Sequence, residues 1–268
     1  MLSLYIGADV SGAQNRSNIM KTVKVVFITL AVLILAVIGA FIAFPKSMAE
    51  LVVNSDKLGN FSNMDSKTSS YEHYDVKTPD SFKETAMYGI SLRLPENAAR
   101  RDEDKNKSGY HIFESDGLTV NFLEPPASSS GTQVLYMPYD FIGAEQWERE
   151  SSALNKETEK NNYAVSSAIR NYTFDDVRTR GGGVFVSAVR LATDKQAFCY
   201  YEQAWDFETD GAVGFLDFNG IGCEDQRYWY DLVLYDKADL NDYHVVKISS
   251  TDEQLIYQIV NSAKLAER

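Results

Sequence analysis

An unbroken apolar stretch over residues 25–44 limits what this chain can fold into more than any other feature. It contains no charged residue, and Thr29 is its only polar one. An α-helix rises about 1.5 Å per residue, so a helix over this stretch measures about 30 Å, the hydrocarbon thickness of a bilayer. We therefore predict a transmembrane helix over residues 25–44, and the membrane is the first predicted partner.

Basic residues around this stretch predict its orientation. Arg16, Lys21 and Lys24 lie shortly before it, whereas only Lys46 lies directly after it. Because basic flanks stay on the cytoplasmic side, we expect residues 1–24 to form a short cytoplasmic tail. Residues 47–268 then lie outside, and the protein is a signal-anchored, single-pass protein of the cell membrane.

Removal of the apolar stretch is the alternative to this anchor. Residues 47–49 read Ser-Met-Ala, a pattern that signal peptidases recognise, so cleavage before Glu50 would give a secreted protein. The apolar core of a signal peptide usually spans only about 7–15 residues. The length of this stretch favours a retained anchor.

Charge excludes one class of partner. The chain carries a net charge of −12, and its acidic excess lies after residue 46. Nucleic acids and anionic lipid head groups attract basic patches and repel an acidic domain. We therefore exclude nucleic-acid binding.

The remainder of the chain divides into a linker and a mixed domain. Residues 45–80 are rich in polar residues and are predicted to form a stalk. Within residues 81–268 we predict a strand over 90–94, a hairpin around Asp116-Gly117 and a helix from Asp140 to about Asn161. A closing helix follows Ser250, where Ser250 and Glu253 form a capping-box pattern.

The region between these two helices is predicted to be an antiparallel meander. Its candidate strands cover residues 172–180, 184–191, 195–207, 213–223 and 228–235. The fold class is therefore α+β, an antiparallel sheet packed with helices after one N-terminal transmembrane helix.

Two cysteines, Cys199 and Cys223, lie in the part of the chain expected outside, where an oxidising space favours a disulfide. If residues 210–212 form the hairpin loop, Thr209 faces Val213 and the two cysteines face each other. Facing residues have Cα atoms about 4.5–5.5 Å apart, within reach of a disulfide. We predict this bond, and two buried thiols are the alternative.

Two short segments resemble PsbP/Mog1-like domains. Residues 88–95 (YGISLRLP) look like the opening strand of that family, and residues 259–265 (IVNSAKL) look like its closing helix. The aromatic residue that often follows the opening proline is missing, because Glu96 stands there. The resemblance, over residues 81–268, implies an α/β/α sandwich and, as in most bacterial members, no catalytic centre.

Motifs for chemistry are weak throughout. His73, His111 and His244 are isolated, so we predict no catalytic, cofactor-binding or metal-binding residues. Aromatic residues crowd the meander, and rings on an open sheet face can stack on a glycan or grip a peptide. The candidate stacking residues are Tyr201, Trp205, Tyr228 and Tyr230.

These observations predict a non-enzymatic binding or accessory module of the cell envelope, with an envelope protein or a glycan as partner. One alternative is an envelope hydrolase with an unrecognised carboxylate site. Another is a structural subunit of a membrane complex. Small residues on one face of the anchor also predict weak homodimerisation: Ala36, Gly39, Ala40 and Ala43.

Overall fold

The computed structural model describes residues 7–55, 64–101, 110–124, 136–181 and 183–266, with side chains described from residue 21 onward. It is a mixed α+β structure that follows an N-terminal apolar helix. That helix, α1 (Gly7–Ala43), contains a stretch from Lys21 to Ala43 that is long and apolar enough to cross a membrane. A stretch so close to the N-terminus also has the properties of a signal sequence.

Eleven strands are present in the described residues. They are β1 (Ser69–Ser70), β2 (Lys83–Met87), β3 (Ile90–Leu94), β4 (Ala99–Arg100), β5 (Tyr110–Ser115), β6 (Leu118–Leu123), β7 (Gln203–Glu208), β8 (Ala212–Ile221), β9 (Tyr228–Asp236), β10 (Asp239–Ser250) and β11 (Lys264–Leu265). Eight of them form a large sheet in the order β1-β7-β8-β9-β10-β6-β5-β4, and β11-β3-β2 form a small one. All pairings are antiparallel except that of β1 with β7.

Alternation along the strands of the large sheet gives each of its two faces an apolar set of residues. On the first face, Leu216, Leu232 and Val246 pack against β3 and against α7 (Glu253–Val260), which contributes Ile256 and Ile259. Successive residues of a strand point to opposite faces, so this apolar set is separate from the one on the second face. Helix α7 and the small sheet pack on the first face.

A layer of helices covers part of the second face. Its members are α2 (Pro45–Val53), α3 (Pro138–Ile142), α4 (Ala144–Ser151), α5 (Asn162–Asn171) and α6 (Val184–Phe198). Tyr163 of α5 stacks on Phe215 of the sheet, with ring centroids 5.6 Å apart. The helices therefore stand directly on the apolar part of this face.

Several sequence predictions are confirmed. The strand over residues 90–94 is β3, and β5 and β6 form the hairpin around Asp116-Gly117. Gly117 occupies the turn at φ +70°, a conformation that favours glycine. The closing helix is α7, although its N-cap is Asp252 rather than Ser250 and the chain becomes strand β11 after it.

The helical layer contains most of the wrong predictions. The helix expected over 140–161 is two short helices separated by Gly143 at φ +82°, and it ends at Ser151. Residues 174–176 form a single 3-10 turn instead of a strand. The strand expected over 184–191 is the first half of α6, whose buried residues Ala188, Leu191 and Lys195 follow helical spacing.

The segment predicted as a polar stalk, residues 45–80, packs on the body wherever the structure describes it. Ala49 and Val53 of α2 are fully buried in the helical layer. Farther along, β1 pairs with β7, and the Tyr71 hydroxyl donates to Asn261 Oδ1 at 2.9 Å. Ala49, Val53 and Tyr71 therefore attach this segment to the body.

No disulfide joins the two cysteines, so that prediction is wrong. Cys199 is buried at the C-cap of α6, before β7 begins, whereas Cys223 is exposed in a turn after β8. The hairpin register also differs by one residue, because Glu208 rather than Thr209 faces Val213. A one-residue shift sends side chains to opposite faces of the sheet.

Candidate ligand-binding site

A row of polar residues crosses the second face of the large sheet. Asp217 of β8 pairs with Asp231 of β9, which pairs with Lys247 of β10, and Lys247 pairs with Asn121 of β6. Directly paired residues in antiparallel strands point to the same face. The four side chains therefore form one continuous polar band.

The band marks the end of the apolar part of this face. Two residues away along each strand, on the same face, stand Phe215, Val233, Val245 and Leu123, all of them buried. The sequence changes from apolar to polar at the same level in all four strands. A buried boundary of this kind needs partners for every charge.

Arg170 of α5 provides the partner for Asp217. Its guanidinium donates two hydrogen bonds to the two carboxylate oxygens, at 2.5 and 2.7 Å, and both side chains are buried. The guanidinium also lies 4.3 Å from the ring centroid of Phe215. Burial alone lowers the pKa of Arg170, but the Asp217 carboxylate raises it by more, so the guanidinium keeps its charge.

Asp231 is held differently, by a phenol hydroxyl and a lysine ammonium. Its Oδ2 accepts the Tyr136 hydroxyl at 2.8 Å and lies 3.2 Å from Lys247 Nζ. Burial and the neighbouring Asp231 carboxylate both raise the pKa of Tyr136, so the phenol keeps its proton and donates it to the hydrogen bond. Because Lys247 is partly exposed, this half of the band is accessible from solvent.

A cavity of about 260 Å³ opens over the band. Its floor includes Asp231 and Lys247, and its rim includes Asn219 and Tyr200, the latter 71% exposed. Asn219 lies at a β-bulge between Phe218 and Gly220, where Gly220 has φ +109°. A bulge redirects the side chain of its extra residue, and bulges are frequent beside binding sites.

Unpaired polar atoms extend the band beyond the cavity. Asn121 Oδ1 and Ser249 Oγ are buried and have no hydrogen-bond partner among the described residues. Ser249 pairs with Trp229, whose ring is on the same face and 43% exposed. Buried polar atoms without partners cost free energy, which a ligand or water with matching groups recovers.

The arrangement offers hydrogen bonds rather than a net charge. Two carboxylates, Asp217 and Asp231, are balanced by Arg170 and Lys247, so the site has no strong preference for an anion or a cation. A free acid–base pair is not formed by the two facing carboxylates, because Asp217 is bound through both oxygens. In the described part of the chain, no three acidic, histidine or cysteine residues converge to hold a metal ion.

The predicted stacking residues are divided between the two faces of the sheet. Tyr201 is buried but lines the cavity, and its hydroxyl bonds to Cys199. Trp205 and Tyr230 stack on each other in the core of the first face, and Tyr228 is half-buried on that face. The four rings therefore do not form one surface.

The residues that the sequence analysis missed carry a recognisable signal. Asp217, Asp231 and Lys247 are each a single charge inside an apolar strand, in the runs GFLDFN, YWYDLV and HVVKIS. Lone charges at buried strand positions are rare unless they are paired. Only the register of the sheet shows that they stand side by side.

A larger depression lies on the helical layer. It encloses about 830 Å³ between α5 and the loop over residues 154–159, and it includes Lys67, Tyr163 and Asp176. Lys67 Nζ and Asp176 Oδ2 are 3.8 Å apart and both are well exposed. This depression lacks the buried, convergent polar groups that distinguish the band.

No family model matches the chain, and a search of curated proteins finds no match.

Proposed function

We propose that this protein is a single-pass, membrane-anchored module whose outer domain binds a neutral, hydroxyl-rich ligand, most simply a glycan. In this proposal the basic residues before the anchor stay on the cytoplasmic side, and residues from 47 onward lie in the cell envelope. The length of the apolar stretch in α1 supports a membrane-spanning helix, and the excess of basic residues before it supports this orientation.

One observation carries the choice of ligand. Asn121 Oδ1 and Ser249 Oγ are buried without partners beside the exposed ring of Trp229 and the Asp231–Lys247 pair. Sugars present an apolar face for stacking and hydroxyl groups that both donate and accept hydrogen bonds. A charged ligand would gain less, because the charges of the band are already balanced.

The resemblance to PsbP/Mog1-like domains belongs to the same proposal. It is supported by the packing of the two segments that carry it, since β11 pairs with β3. The backbone N–H of Arg93 also donates to Ser262 Oγ at 2.7 Å. This resemblance concerns the fold, and the function rests on the site alone.

Ligand binding is tested by intrinsic fluorescence of the full chain in detergent micelles, titrated with a panel of neutral oligosaccharides. Trp147 and Trp205 are buried, so a ligand on the band changes mainly the emission of Trp229. We expect a saturable change that Asn121→Ala or Ser249→Ala weakens, because each removes a hydrogen-bonding group while Trp229 remains as the reporter. Ile221→Ala, an exposed control on β8, should leave the change intact. A panel without any saturable response would refute the glycan proposal.

Two alternatives have their own outcomes in this experiment. Hydrolysis of an oligosaccharide that is lost in Asp231→Asn would favour the envelope hydrolase. A structural subunit would bind no sugar and would lose its role when α1 is replaced by an unrelated apolar helix. Weak homodimerisation through the face of Gly39 is a further part of the proposal, and Gly39→Leu should weaken it in a membrane reporter assay.

A further inference from the structure

The corner at which α6 begins lies against the anchor helix. Residues 181–186 read GGGVFV, and α6 starts at Val184 after Gly183, which has φ +83°. Val184 is buried, Phe185 is half-buried against the helical layer, and Val186 is 51% exposed. The exposed part of this apolar pair contributes nothing to the core of the domain.

A ring contact fixes the position of this corner along the anchor. Phe185 meets Phe41 edge to face, with ring centroids 4.6 Å apart. Phe41 belongs to the last turn of α1, three residues before Phe44, or about 4.5 Å along the helix axis. The corner therefore lies level with the last apolar turn of the anchor.

The connection between anchor and body is short. Phe44 leaves the helical conformation at φ −131°, and Pro45 starts α2 at once. Lys46 then pairs with Asp175 of the body, and Ala49 is buried in the helical layer. No spacer separates the end of the apolar helix from the folded domain.

From this geometry we propose that the first turn of α6 is a second membrane contact, with Phe185 and Val186 immersed in the interfacial layer of the bilayer beside the anchor. The inference rests on the proposed function, because it requires α1 to span the membrane. The apolar stretch fills the hydrocarbon thickness and ends at Phe44, so a side chain level with Phe41 reaches the edge of the hydrocarbon.

A lipid surface fits this corner better than a protein partner. The apolar surface of the corner is continuous with the apolar surface of α1, whose exposed side chains include Ile38, Ile42 and Phe44. Exposed Arg180 lies just before the glycine stretch, where it can meet lipid phosphate groups. The contact would hold the domain in one orientation, as a pair of anchoring points does and a flexible stalk does not.

The test uses the full chain, reconstituted into vesicles of phosphatidylcholine and phosphatidylglycerol. Single cysteines are placed by Val186→Cys, Leu35→Cys and Ile221→Cys in a Cys223→Ser background, since Cys199 is buried. Each is labelled with an environment-sensitive fluorophore, and quenching by lipids that carry a nitroxide near the head group is measured. Ile221 is a matched control, because it is 47% exposed but lies on the sheet.

We expect a several-fold greater loss of fluorescence at position 186 than at position 221. Position 35, in the middle of the anchor, should respond to nitroxides deep in the acyl chains. Quenching at 35 together with a response at 186 equal to that at 221 would overturn the membrane contact and leave the anchor standing. Absence of deep quenching at 35 would overturn the anchor itself, and a shielded but unquenched label at 186 would indicate a second copy and overturn the inference.

Discussion

Two buried carboxylates face each other between α4 and α6. Glu150 is fully buried and Asp194 is half-buried, and neither Glu150 Oε2 nor Asp194 Oδ2 accepts a hydrogen bond from a third group among the described residues. Burial, with a further contribution from Glu150, raises the pKa of Asp194 from 3.8 to about 8, while Arg190 opposes the shift. Because two facing carboxylates ionise together only at high cost, the raised pKa favours a proton on Asp194, between the two groups, at neutral pH.

This pair predicts a specific pH dependence of stability. Between pH 3.8 and about 8 the folded state binds more protons at Asp194 than the unfolded state does, so the free energy of unfolding falls as pH rises through this window. Asp194→Asn removes the charge and keeps a hydrogen-bond donor. We expect the variant to exceed the natural chain at pH 8 by on the order of 1–3 kcal/mol, with a smaller difference at pH 5.

Chemical denaturation of both chains in detergent across this pH range measures the difference. Glu145→Gln is the control, because it removes a well-exposed carboxylate of α4, the helix that carries Glu150. Its effect on the free energy of unfolding should show no comparable dependence on pH. A stability difference for Asp194→Asn that does not vary with pH would contradict the shared proton.

The ion pair under the polar band gives a second prediction for single residues. Arg170→Met leaves the buried Asp217 without its bidentate partner and should cost about 3–5 kcal/mol, the usual penalty for one uncompensated buried charge. The double change Arg170→Met with Asp217→Leu removes both charges and should recover most of that loss. A double variant as unstable as the single one would show that packing of the arginine, not its charge, stabilises the site.

At the scale of elements, α6 connects the body to the segment that follows α1 and α2. Lys195 is buried, and its Nζ donates to the backbone carbonyls of Met64, Ser66 and Tyr172 at 3.2, 2.5 and 2.7 Å. Met64 and the adjoining strand β1 are thereby fixed to the helical layer. One side chain replaces the partners that this extended segment would otherwise find in water.

Lys195→Met should therefore release this segment while the sheet stays folded. Methionine fills much of the same volume but donates no hydrogen bond, so three backbone carbonyls, two of them in buried hydrogen bonds, lose a partner. We expect faster amide hydrogen exchange over residues 64–71, with exchange in β8 and β9 unchanged. Lys156→Met, a change in the loop over residues 154–159, is the control. Equal acceleration in the sheet would mean that Lys195 supports the whole fold and not this segment.

The elements also show which parts of the fold can be predicted from sequence. Strand β3 alternates, and β8 and β9 are mostly apolar, so local pattern is sufficient to find them. Helix α6 begins Val-Phe-Val, a local strand pattern, and only the spacing of Ala188, Leu191 and Lys195 indicates a helix. Its buried lysine weakens that signal, because a charge is not expected on a buried helix face.

The candidate site was harder to predict for a related reason. Its members come from four strands and from α5, and their proximity depends on register, which a single sequence fixes poorly. The same dependence contributes to the disulfide error. The assumed hairpin loop over residues 210–212 paired Thr209 with Val213, and the observed register is shifted by one residue. Local composition identified some of the strands, while their neighbours across the sheet were left undetermined.

At the scale of the whole molecule, the boundary between α1 and the body decides how the chain can be divided. Helix α2 runs through Ala49 and Glu50 without a break, and Ala49 and Val53 are both fully buried against the helical layer. Cleavage before Glu50, the sequence-based alternative to a retained anchor, would cut this packed helix near its middle. The product would lose the buried contacts of Pro45 and Ala49.

Two truncated chains test whether the first half of α2 belongs to the folded body. A chain that starts at Pro45 retains all of α2, whereas one that starts at Glu50 lacks Pro45 and Ala49, both of them buried. We expect the shorter chain to be less stable by about 2 kcal/mol, because it loses buried apolar contacts and the turn that starts the helix. Chemical denaturation of the two soluble chains measures this difference. Equal stability would show that a protein processed before Glu50 keeps its whole fold. A secreted form would then be as compatible with the fold as an anchored form.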